Sequence, residues 1–489
     1  MENKKPFYLT TTLPYVNADP HVGFALELVL ADVIVRYKKL TGNDVFFNTG
    51  TDEHGIKIFR KAQEEAVPSQ EYVDDYAVRF RELPEALNIV KTSSGIISNF
   101  IRTTDPHHKL AAQAFWLRCK EAGDIYKKEY TIKYCIGCEL EKTDSELTDG
   151  RCPIHPNLEI EYIEEENYFF RFSNYKDKLL ELYKKNPNFV VPETRFHEIK
   201  KFVEGGLKDF SISRLKEKMP WGIEVPDDAD HVMYVWFDAL VNYISAIGWP
   251  SDAQKFEKYW PVVQIAGKDN LRQQSAMWQT MLMSAGLLPS KQIIIHGFIT
   301  SGGQKMSKSL GNVINPIDVI NEYGTDALRY FLCREINTFE DSDFTMERFR
   351  EAYNANLANG IGNLTSRIMK MATMHGIELS DEEKGMTYYE AGLSYENLDN
   401  FDIQAEMDDI WAAIQWLDKS IQEKEPFKKI KINPEEAKQD IKNLIYHHDQ
   451  YHLLGIALRL EPFMPETAKK IQEAIKQNKM PESLFKRSD

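Results

Sequence analysis

The sequence predicts an α/β protein in which a parallel sheet is split by an inserted module and followed by a bundle of helices. The first observation is the strand–loop–helix–strand order over residues 6–49, which is the pattern of a βαβ unit. The second is a cysteine-containing interruption that begins near residue 116, after which the α/β pattern resumes at Val232. The third is a helical pattern from about Ala327 onward, with long amphipathic runs at 346–375, 400–423, 435–461 and 465–478.

The elements of the predicted sheet follow in chain order. A strand at 6–13 precedes a proline-containing break, and His21 then begins a helix that runs to about Leu40. A second strand at 44–49 delivers a polar segment to the carboxyl edge of the sheet, where open α/β sheets bind ligands. After it, we expect short strands in 125–171, helices in 174–217, a strand and helix in 234–247, a strand at 262–266, a helix at 271–285 and a strand at 293–299.

Length and composition restrict the class of protein. A chain of 489 residues with 43% hydrophobic and 12% aromatic residues is globular, and about two to four domains are expected at this length. No apolar run approaches the roughly 18 residues of a membrane span, and the N-terminus lacks a signal-peptide core. Five cysteines indicate a reducing compartment, which we take to be the cytoplasm. The net charge of −15 disfavours a general nucleic-acid binder but is compatible with a local basic surface.

The segment 305–309, Lys-Met-Ser-Lys-Ser, has the composition of an anion-binding loop. The predicted strand at 293–299 leads into it, and Gly302 and Gly303 make the connection flexible. Lys305 and Lys308, beside small hydroxyl residues, suit a ligand of high negative charge such as a triphosphate. On charge spacing alone, an ordinary solvated basic turn is the simpler interpretation.

A second candidate site lies at the start of the first helix, in His21-Val22-Gly23-Phe24. Free N–H groups and the helix dipole favour phosphate at such a position. Gly23 would let a nucleotide approach the backbone, and His21 can donate to phosphate oxygens. A histidine in a helix cap is common, so this motif gains its weight only together with the lysine segment.

Four residues in the interruption have the spacing of a metal site. Cys135-x2-Cys138 and Cys152-x2-His155 form two close pairs separated by thirteen residues. Such pairs can converge on a tetrahedral zinc ion, and four protein ligands would make the site closed and structural. Free thiols or a disulfide are the alternatives. Cys119 and Cys333 have no comparable partner and are expected to be packing residues.

Several motifs occur together in one order along the chain. They are Leu-Pro-Tyr-Val-Asn at 13–17, His-Val-Gly-Phe at 21–24, Gly-Thr-Asp-Glu-His-Gly at 50–55, Tyr-Val-Trp-Phe-Asp-Ala at 234–239, Gly-Lys-Asp at 267–269 and Lys-Met-Ser-Lys-Ser at 305–309. With them the chain resembles the methionyl-tRNA synthetases over essentially its whole length, and most closely the compact bacterial kind with one zinc knuckle. The cysteine, leucine and valine enzymes share the sheet and the lysine loop, but the blocks at 13–17 and 234–239 favour methionine.

The resemblance implies a Rossmann-type catalytic domain and two reactions. L-Methionine would attack ATP, which enters with Mg²⁺, to form methionyl adenylate and pyrophosphate. The methionyl group would then pass to the terminal ribose of tRNA(Met), both initiator and elongator. One structural Zn²⁺ and a monomeric enzyme are also implied. The implied domains are 1–115 and 229–325 for the halves of the catalytic domain, 116–228 for the insertion with the knuckle, 326–350 for a stem-contact linker and 351–489 for anticodon-binding helices.

The resemblance also assigns roles to individual residues. The implied catalytic residues are His21, Lys305 and Lys308. The ATP site would comprise Tyr15, His21, Gly23, Phe24, Glu224, Gly267, Asp269, His296, Lys305 and Lys308. The methionine site would comprise Leu13, Tyr15, Asp52, Trp236, Ala239, Tyr243 and Trp278; core packing is the alternative role for each aromatic residue. The anticodon would meet Asn363, Arg367 and Phe427, with positive charge from Lys428, Lys429, Lys431, Lys438 and Lys442.

Three positions depart from the family pattern. Phe24 stands where the family has a second histidine, Gln274 (after Gln273) stands where a histidine is usual, and Leu240 replaces a proline. The pocket could therefore differ in shape from those of relatives. Two other functions are considered: a class I synthetase for another amino acid, and a catalytically silent RNA-binding paralogue. The presence of Asp52 and both lysines argues for an active enzyme.

Overall fold

The computed structural model describes residues 4–89, 91–92, 95–96, 98–138, 140–142, 146–306, 311–387, 393–447 and 451–487. Within these ranges, no helix has both the length and the hydropathy that a membrane span requires.

Strands and helices alternate in the N-terminal part of the chain. Its elements are β1 (Pro6–Thr10), α1 (Val22–Leu40), β2 (Asp44–Thr51), α2 (Ile56–Glu64), α3 (Ser69–Ala86), β3 (Lys91–Thr92), β4 (Gly95–Ile96), β5 (Ser98–Arg102) and α4 (Pro106–Glu121). The helix α1 begins where the sequence predicts it, with His21 as its N-cap, and β1 is three residues shorter than predicted.

The middle of the chain is mainly β-structure with two helices. Its elements are β6 (Ile125–Cys135), β7 (Leu140–Glu141), β8 (Glu161–Phe170), α5 (Lys176–Lys185), β9 (Val190–Val191), α6 (Glu193–Glu204), β10 (Phe210–Ser211), β11 (Ser213–Leu215), β12 (Glu224–Val225) and β13 (Asp228–Met233). The expectation of short strands in 125–171 is wrong for the two main ones. β6 and β8 pair antiparallel from Ile125↔Phe170 to Tyr134↔Glu161 and form the long centre of a four-stranded sheet with the order β10-β8-β6-β7.

The α/β pattern returns after this module. The elements are α7 (Val235–Ala239), α8 (Asn242–Ser245), α9 (Ala253–Tyr259), β14 (Val263–Gly267), α10 (Trp278–Ser284), β15 (Gln292–His296), β16 (Ile299–Ser301), β17 (Gln304–Lys305) and α11 (Pro316–Tyr323). A π-helical turn at 273–277 leads into α10. The predicted strand in 234–247 is absent from the structure, which has two short helices there; the strand before them, β13, pairs antiparallel with β11 and β12.

The C-terminal part is helical, as predicted. Its elements are α12 (Thr325–Tyr330), β18 (Ser342–Asp343), α13 (Met346–Ala352), α14 (Asn363–Met374), α15 (Asp381–Lys384), α16 (Glu396–Asp399), α17 (Ile403–Lys424), α18 (Pro426–Lys429), α19 (Pro434–Ile445), α20 (Leu453–Leu460) and α21 (Pro465–Gln477). The run predicted at 435–461 is not one helix, because α19 and α20 are separate elements. A π-helical segment at 353–362 joins α13 to α14.

One parallel sheet of six strands organises the molecule, in the order β5-β2-β1-β14-β15-β9. β1 pairs with β2 on one side and with β14 on the other, so strands from before and after the middle module share one sheet. The prediction of a split parallel sheet is therefore confirmed. The helical prediction for 174–217 missed β9, which returns from the module to pair with β15 at the sheet edge.

The strand predicted at 293–299 is two strands in different sheets. β15 ends at His296, and β16 pairs with β17 and β18 instead. The break falls at Gly297, where a Cβ would lie 2.2 Å from the backbone of Glu340, so only glycine allows this crossing. Gly302 and Gly303 have positive φ and form the turn between β16 and β17. Lys305, the first residue of the lysine segment, is thus presented by a hairpin.

Candidate active site

The helix that begins at His21 faces the hairpin that carries Lys305. A Cβ at Gly23 would lie 4.0 Å from the Met306 side chain, so the two motifs meet. Lys305 is exposed, and its charge acts on both His21 and Asp269. Lys308, the second predicted catalytic lysine, lies outside the described residues. The structure therefore brings together the helix start and the first lysine of the loop.

The imidazole of His21 has a fixed tautomer in this arrangement. Its Nδ1 accepts a hydrogen bond of 3.0 Å from the backbone N–H of Gly23. Burial, followed by the charge of Lys305, lowers the pKa of His21 to about 4. At neutral pH the ring is therefore uncharged, and its proton is on Nε2, where it can be donated to a ligand. The Phe24 ring stacks on His21 at a centroid distance of 4.5 Å.

Three predicted ATP-site residues converge at the end of β14. A Cβ at Gly267 would lie 3.1 Å from Asp269 and 3.7 Å from His296, so a larger residue at 267 would meet both side chains. The Asp269 carboxylate is open to the cleft but closely surrounded by protein, and this desolvation raises its pKa while Lys305 opposes the change. These groups lie at the carboxyl edge of the sheet, where ligands of α/β proteins bind.

Sequence reasoning missed Glu27, which links this group to β1. Its Oε2 lies 2.9 Å from His296 Nε2, and its Oε1 accepts hydrogen bonds of 2.6 Å from both the N–H and the hydroxyl of Thr12. Burial opposes the charged form of His296, but Glu27 outweighs it and the pKa of the imidazole is raised. A signal was available in the sequence, since Glu27 interrupts the apolar run of α1 one turn after Gly23.

A cavity beside this edge contains five of the predicted methionine-site residues. It is lined by Thr12, Leu13, Asp52, Trp236, Ala239, Leu240, Asn242, Tyr243, Asn270, Gln273 and Gln274. Asp52 is only 6% exposed and forms a parallel bridge with Tyr15. Trp278 is fully buried behind Tyr243, with their rings 5.8 Å apart, and does not line the cavity itself. The Asp52 carboxylate suits the ammonium of an amino acid, and the aromatic lining residues suit an apolar side chain.

Glu224 is also a predicted ATP-site residue, but its described contacts are not with the ATP-site residues at the end of β14. It is exposed on β12, where its carboxylate pairs with Lys216. Its backbone carbonyl accepts a hydrogen bond from Gln113 on α4. The described contacts therefore hold Glu224 on the surface of the inserted module.

A buried acid–base pair supports the two motifs that flank the cavity. His54 Nδ1 lies 3.2 Å from Asp238 Oδ2, and both side chains are almost fully buried. His54 follows Asp52 by two residues, and Asp238 follows Trp236 by two residues. Burial raises the pKa of Asp238, and His54 opposes the change. The pair therefore connects the loop that carries Asp52 to the helix that carries Trp236.

A third buried histidine, His108, gives a prediction for pH dependence. Burial, followed by the charge of His54, lowers the pKa of His108 to about 3. Below about pH 6.5 the unfolded chain therefore binds a proton that the folded chain does not, and stability falls by about 1.4 kcal/mol per pH unit for this group. We expect His108→Asn, which can keep the 3.0 Å contact with Ser245 Oγ, to reduce that slope.

The measurement is the free energy of unfolding in denaturant between pH 7 and pH 5. His108→Asn should cost some stability at pH 7 and lose less than the native protein on acidification. An equal loss in both proteins would contradict a neutral His108 in the folded state.

The four predicted metal ligands are brought together. One donor atom from each of Cys135, Cys138, Cys152 and His155 lies within 4.8 Å of all the others. Cys138 Sγ is 3.2 Å from His155 Nδ1 and 3.3 Å from Cys152 Sγ, and all the cysteines are free thiols. Three thiols and an imidazole at these separations fit a tetrahedral ion and could hold a metal. The disulfide alternative is not realised.

The knuckle lies within electrostatic reach of the lysine loop. Burial, followed by the charges of Lys305 and Lys57, lowers the pKa of His155. Gly137, between the first two cysteines, has the His155 ring directly above it, since a Cβ there would lie 2.4 Å from Cγ. The inserted module therefore places its cysteine turns beside the ATP side of the cleft.

The predicted anticodon residues lie on the C-terminal helices. Asn363 is exposed at the start of α14, Phe427 is 46% exposed on α18, and Arg367 is ion-paired with Asp418 of α17. The expected positive charge around Phe427 is largely absent, because most of the lysines pair with carboxylates. The pairs are Lys428–Glu425, Lys429–Glu436, Lys429–Asp440, Lys438–Glu435 and Lys442–Glu383.

Comparison with known proteins agrees with this geometry. A family model described as class I tRNA synthetases (M) matches residues 7–161 and 145–369. The methionine–tRNA ligase of Thermotoga maritima is 39% identical over 95% of this chain and 74% of that protein. The enzyme of the same name from Rhizobium meliloti is 38% identical over 97% of this chain and 92% of that protein.

Solved structures give the same result over the whole chain. Mycobacterium tuberculosis methionyl-tRNA synthetase in complex with methionyl-adenylate matches with a TM-score of 0.86 and 35% identity, and 99% of each chain is covered. The apo form of that enzyme matches with a TM-score of 0.80 and 32% identity. With matches of this extent in sequence and in structure, the chain belongs to the methionine–tRNA ligase family of class I tRNA synthetases.

Proposed function

We propose that this protein is a methionine–tRNA ligase. It condenses L-methionine with ATP to methionyl adenylate and pyrophosphate, and then transfers the methionyl group to the 3′-terminal ribose of initiator and elongator tRNA(Met). The observation that carries this function is the meeting of the His21 helix start and the Lys305 hairpin beside a cavity that holds Asp52 and aromatic walls.

The first reaction needs positioning and charge stabilisation more than a strong base, because the carboxylate is already a nucleophile. The Nε2–H of His21 donates to phosphate oxygens, and Lys305 and Lys308 neutralise the charge that builds on pyrophosphate. Mg²⁺, bound with ATP, supplies further neutralisation of the phosphates. Gly267, Asp269 and His296 hold the nucleoside end at the sheet edge. Tyr15, Gly23 and Phe24 complete the proposed ATP site, whereas the contacts of Glu224 with Lys216 and Gln113 argue against a place for it there.

Methionine lies in the cavity with its ammonium at Asp52 and its side chain among the aromatic residues. A thioether is polarisable and unbranched, so rings and a phenol hydroxyl suit it. Leu13, Trp236, Ala239 and Tyr243 line the space, while Trp278 supports Tyr243 from behind. The ligand's carboxylate then faces the ATP side.

The direct test of this function is ATP–pyrophosphate exchange with each of the twenty amino acids. Methionine should be the only strong substrate. Exchange that prefers a different amino acid would assign the chain to another synthetase. The absence of exchange in a folded protein that binds tRNA would support a silent RNA-binding paralogue.

We further propose that the ion held by Cys135, Cys138, Cys152 and His155 is zinc, and that it shapes the turns of the knuckle. Gly137→Ala should reduce the bound metal strongly, because the new Cβ would displace the His155 ring. Gly205→Ala is the matched control, since its nearest contacts begin at 3.4 Å. Metal analysis of the purified proteins is the measurement.

About one equivalent of zinc is expected in the native protein and in Gly205→Ala. Well under half an equivalent of zinc in the native protein, with other metals also missing, would refute the site. Full zinc in Gly137→Ala would contradict the described packing of Gly137 against His155.

For the tRNA, we propose that Asn363, Arg367 and Phe427 read the anticodon, with residues 351–489 as the domain that carries them and 326–350 as the stem-contact linker. The exposure of Phe427 supports stacking on a single-stranded base. The catalytic domain would comprise 1–115 and 229–325, with 116–228 as its insertion. A monomeric, cytoplasmic enzyme completes this proposal.

A further inference from the structure

A bend in the inserted module, residues 219–223, lies against the loop that carries Asp52. We call it the module bend, and Trp221 is its central residue. The Trp221 side chain is partly buried, and it packs against an apolar cluster that contains Val16, Ile58 and Tyr72. The module bend therefore reaches from the insertion to the first half of the catalytic sheet.

Two hydrogen bonds join Trp221 to the backbone of that loop. The indole Nε1–H donates to the carbonyl oxygen of Glu53 at 2.6 Å. The carbonyl oxygen of Trp221 accepts from the N–H of Gly55 at 3.3 Å. The two bonds enclose His54, whose ring centroid lies 5.6 Å from that of Trp221. Trp221 therefore holds both peptide groups that adjoin His54.

These two peptide groups need such a partner. Glu53 and His54 are at most 2% exposed, so a Glu53 carbonyl that lost its donor would be unsatisfied in the protein interior. Gly55 has a φ of 114°, and glycine has no side chain to keep it in that conformation. Without the indole donor, we expect the loop to rotate toward another hydrogen-bond partner.

The other contacts of the loop leave this rotation open. Arg102 donates to both carboxylate oxygens of Glu53, at 2.6 and 2.8 Å, which anchors the side chain but does not set the direction of the backbone carbonyl. The backbone of Asp52 is tied to the segment after β1, since its N–H donates to Pro14 at 2.9 Å and its carbonyl accepts from Val16 at 3.3 Å. The remaining freedom lies in the peptides that Trp221 holds.

The module bend also contacts the strand that leads to Trp236. The carbonyl oxygen of Ile223 accepts from the N–H of Met233 at 2.7 Å, and Met233 is the last residue of β13. A Cβ at Gly222 would lie 3.2 Å from the Val232 side chain, so the bend packs closely on this strand. The bend is therefore in contact with the segments that carry Asp52 and Trp236, two residues that line the methionine cavity.

We infer that Trp221 is a positioning residue for the ammonium of the amino acid: it fixes residues 53–55 and, through them, the carboxylate of Asp52. This inference rests on the proposed function. Trp221 is not among the residues that line the cavity. Its role makes the affinity of the amino-acid site depend on a contact with the inserted module.

Trp221→Phe tests this role, because it keeps an aromatic ring and removes the indole donor. We expect the KM for methionine in ATP–pyrophosphate exchange to rise by about tenfold, since a misplaced Asp52 pairs poorly with the ammonium. The KM for ATP should stay within about twofold of the native value and kcat should change little, because the phosphate-binding groups are not in contact with this loop.

Trp260→Phe is the matched control. Trp260 Nε1 also donates to a backbone carbonyl, that of Leu288 at 3.0 Å, and its ring stacks on Phe256. Neither Trp260 nor Leu288 lines the cavity. This variant removes the same kind of hydrogen bond and should leave both KM values near native.

Two inhibitors of the exchange reaction show whether the ammonium is the group affected. Methioninol keeps the ammonium and lacks the carboxylate, whereas 4-(methylthio)butanoate keeps the carboxylate and lacks the ammonium. Trp221→Phe should raise the inhibition constant of methioninol by about tenfold and leave that of 4-(methylthio)butanoate within about twofold of native. A general loosening of the cavity would weaken both inhibitors equally.

The combination with Asp52→Asn shows whether Trp221 acts through Asp52. In an Asp52→Asn protein, Trp221→Phe should change the KM for methionine by no more than about twofold, because the group that it positions has lost its charge. Gly222→Ala provides a second variant if Trp221→Phe does not fold. Its Cβ would press on Val232 and shift the bend, so the KM for methionine should again rise while the KM for ATP does not.

A native KM for methionine in a folded Trp221→Phe protein would overturn the inference, as would equal weakening of both inhibitors. Full additivity with Asp52→Asn, or an equal rise in Trp260→Phe, would also overturn it. If only Gly222→Ala can be measured, a native KM for methionine in that variant has the same meaning. These outcomes are distinct from failure of the proposed function, in which the native protein itself would show no methionine-dependent exchange.

Discussion

Lys305→Ala is expected to lower the rate of methionine-dependent ATP–pyrophosphate exchange by about 10²–10³-fold, while the affinity for methionine stays nearly unchanged. The lysine lies on the hairpin opposite His21, and its charge reaches Asp269 as well. Its contribution grows as negative charge develops on pyrophosphate, so the loss should fall on the rate and not on amino-acid binding. Lys308→Ala is expected to behave in the same way on sequence grounds.

Two controls separate this effect from loss of charge or of loop structure. Gln304→Ala changes the neighbouring exposed residue of β17, and Lys469→Ala removes an exposed lysine far along the chain on α21. Both should keep near-normal exchange. A near-normal rate in Lys305→Ala, or a fall confined to methionine affinity, would contradict a role at the phosphates.

Phe24 bears on how large the lysine effect should be. It removes the second histidine of the family motif and stacks its ring on His21 instead. The phosphates then have one donor fewer on the helix side, so we expect Lys305 and Lys308 to carry a larger share of the charge stabilisation. The loss on lysine replacement should accordingly exceed that in a relative with two histidines, measured under the same conditions.

Asp52→Asn is expected to lower kcat/KM for methionine by about 10²-fold or more, with little change in the KM for ATP. The side chain is buried, lines the cavity and lies on the segment that bridges to Tyr15. Asparagine keeps the shape but not the charge, so the substrate ammonium would enter a desolvated site without its counter-ion.

Asp19→Asn is the matched control for Asp52→Asn, because Asp19 is an exposed carboxylate that pairs with Arg79. It should leave both kinetic constants near their native values. Equal losses of methionine and ATP binding in Asp52→Asn would indicate a disturbed fold. A native value of kcat/KM for methionine in Asp52→Asn would show that the substrate ammonium does not bind at Asp52.

The sequence predicted best those features that depend on residues close together along the chain. His21 is the cap of a helix whose apolar spacing is regular, and the paired spacing of Cys135 and Cys138 with Cys152 and His155 needs only two tight turns to converge. The split of the parallel sheet also followed from pattern alone, because strand and helix periods are distinct. Such features depend on neighbours in the chain and can be read without a structure.

The misses depend on contacts between distant residues. Gly297 ends a strand only because the backbone of Glu340 crosses it, and nothing near residue 297 predicts that crossing. β9 joins the main sheet although only two residues pair there. The link between His54 and Asp238 becomes apparent only once the fold has buried the two side chains together. The sequence shows the lysines near Phe427, but it does not show which carboxylates the fold pairs with them.

The most direct measurement is aminoacylation of tRNA(Met) with methionine by the native protein and by Lys305→Ala and Lys308→Ala. We expect efficient charging by the native protein and a loss of about 10²-fold or more in each lysine variant. Binding of tRNA(Met) without charging by the native protein would contradict this expectation, as would full charging by both variants.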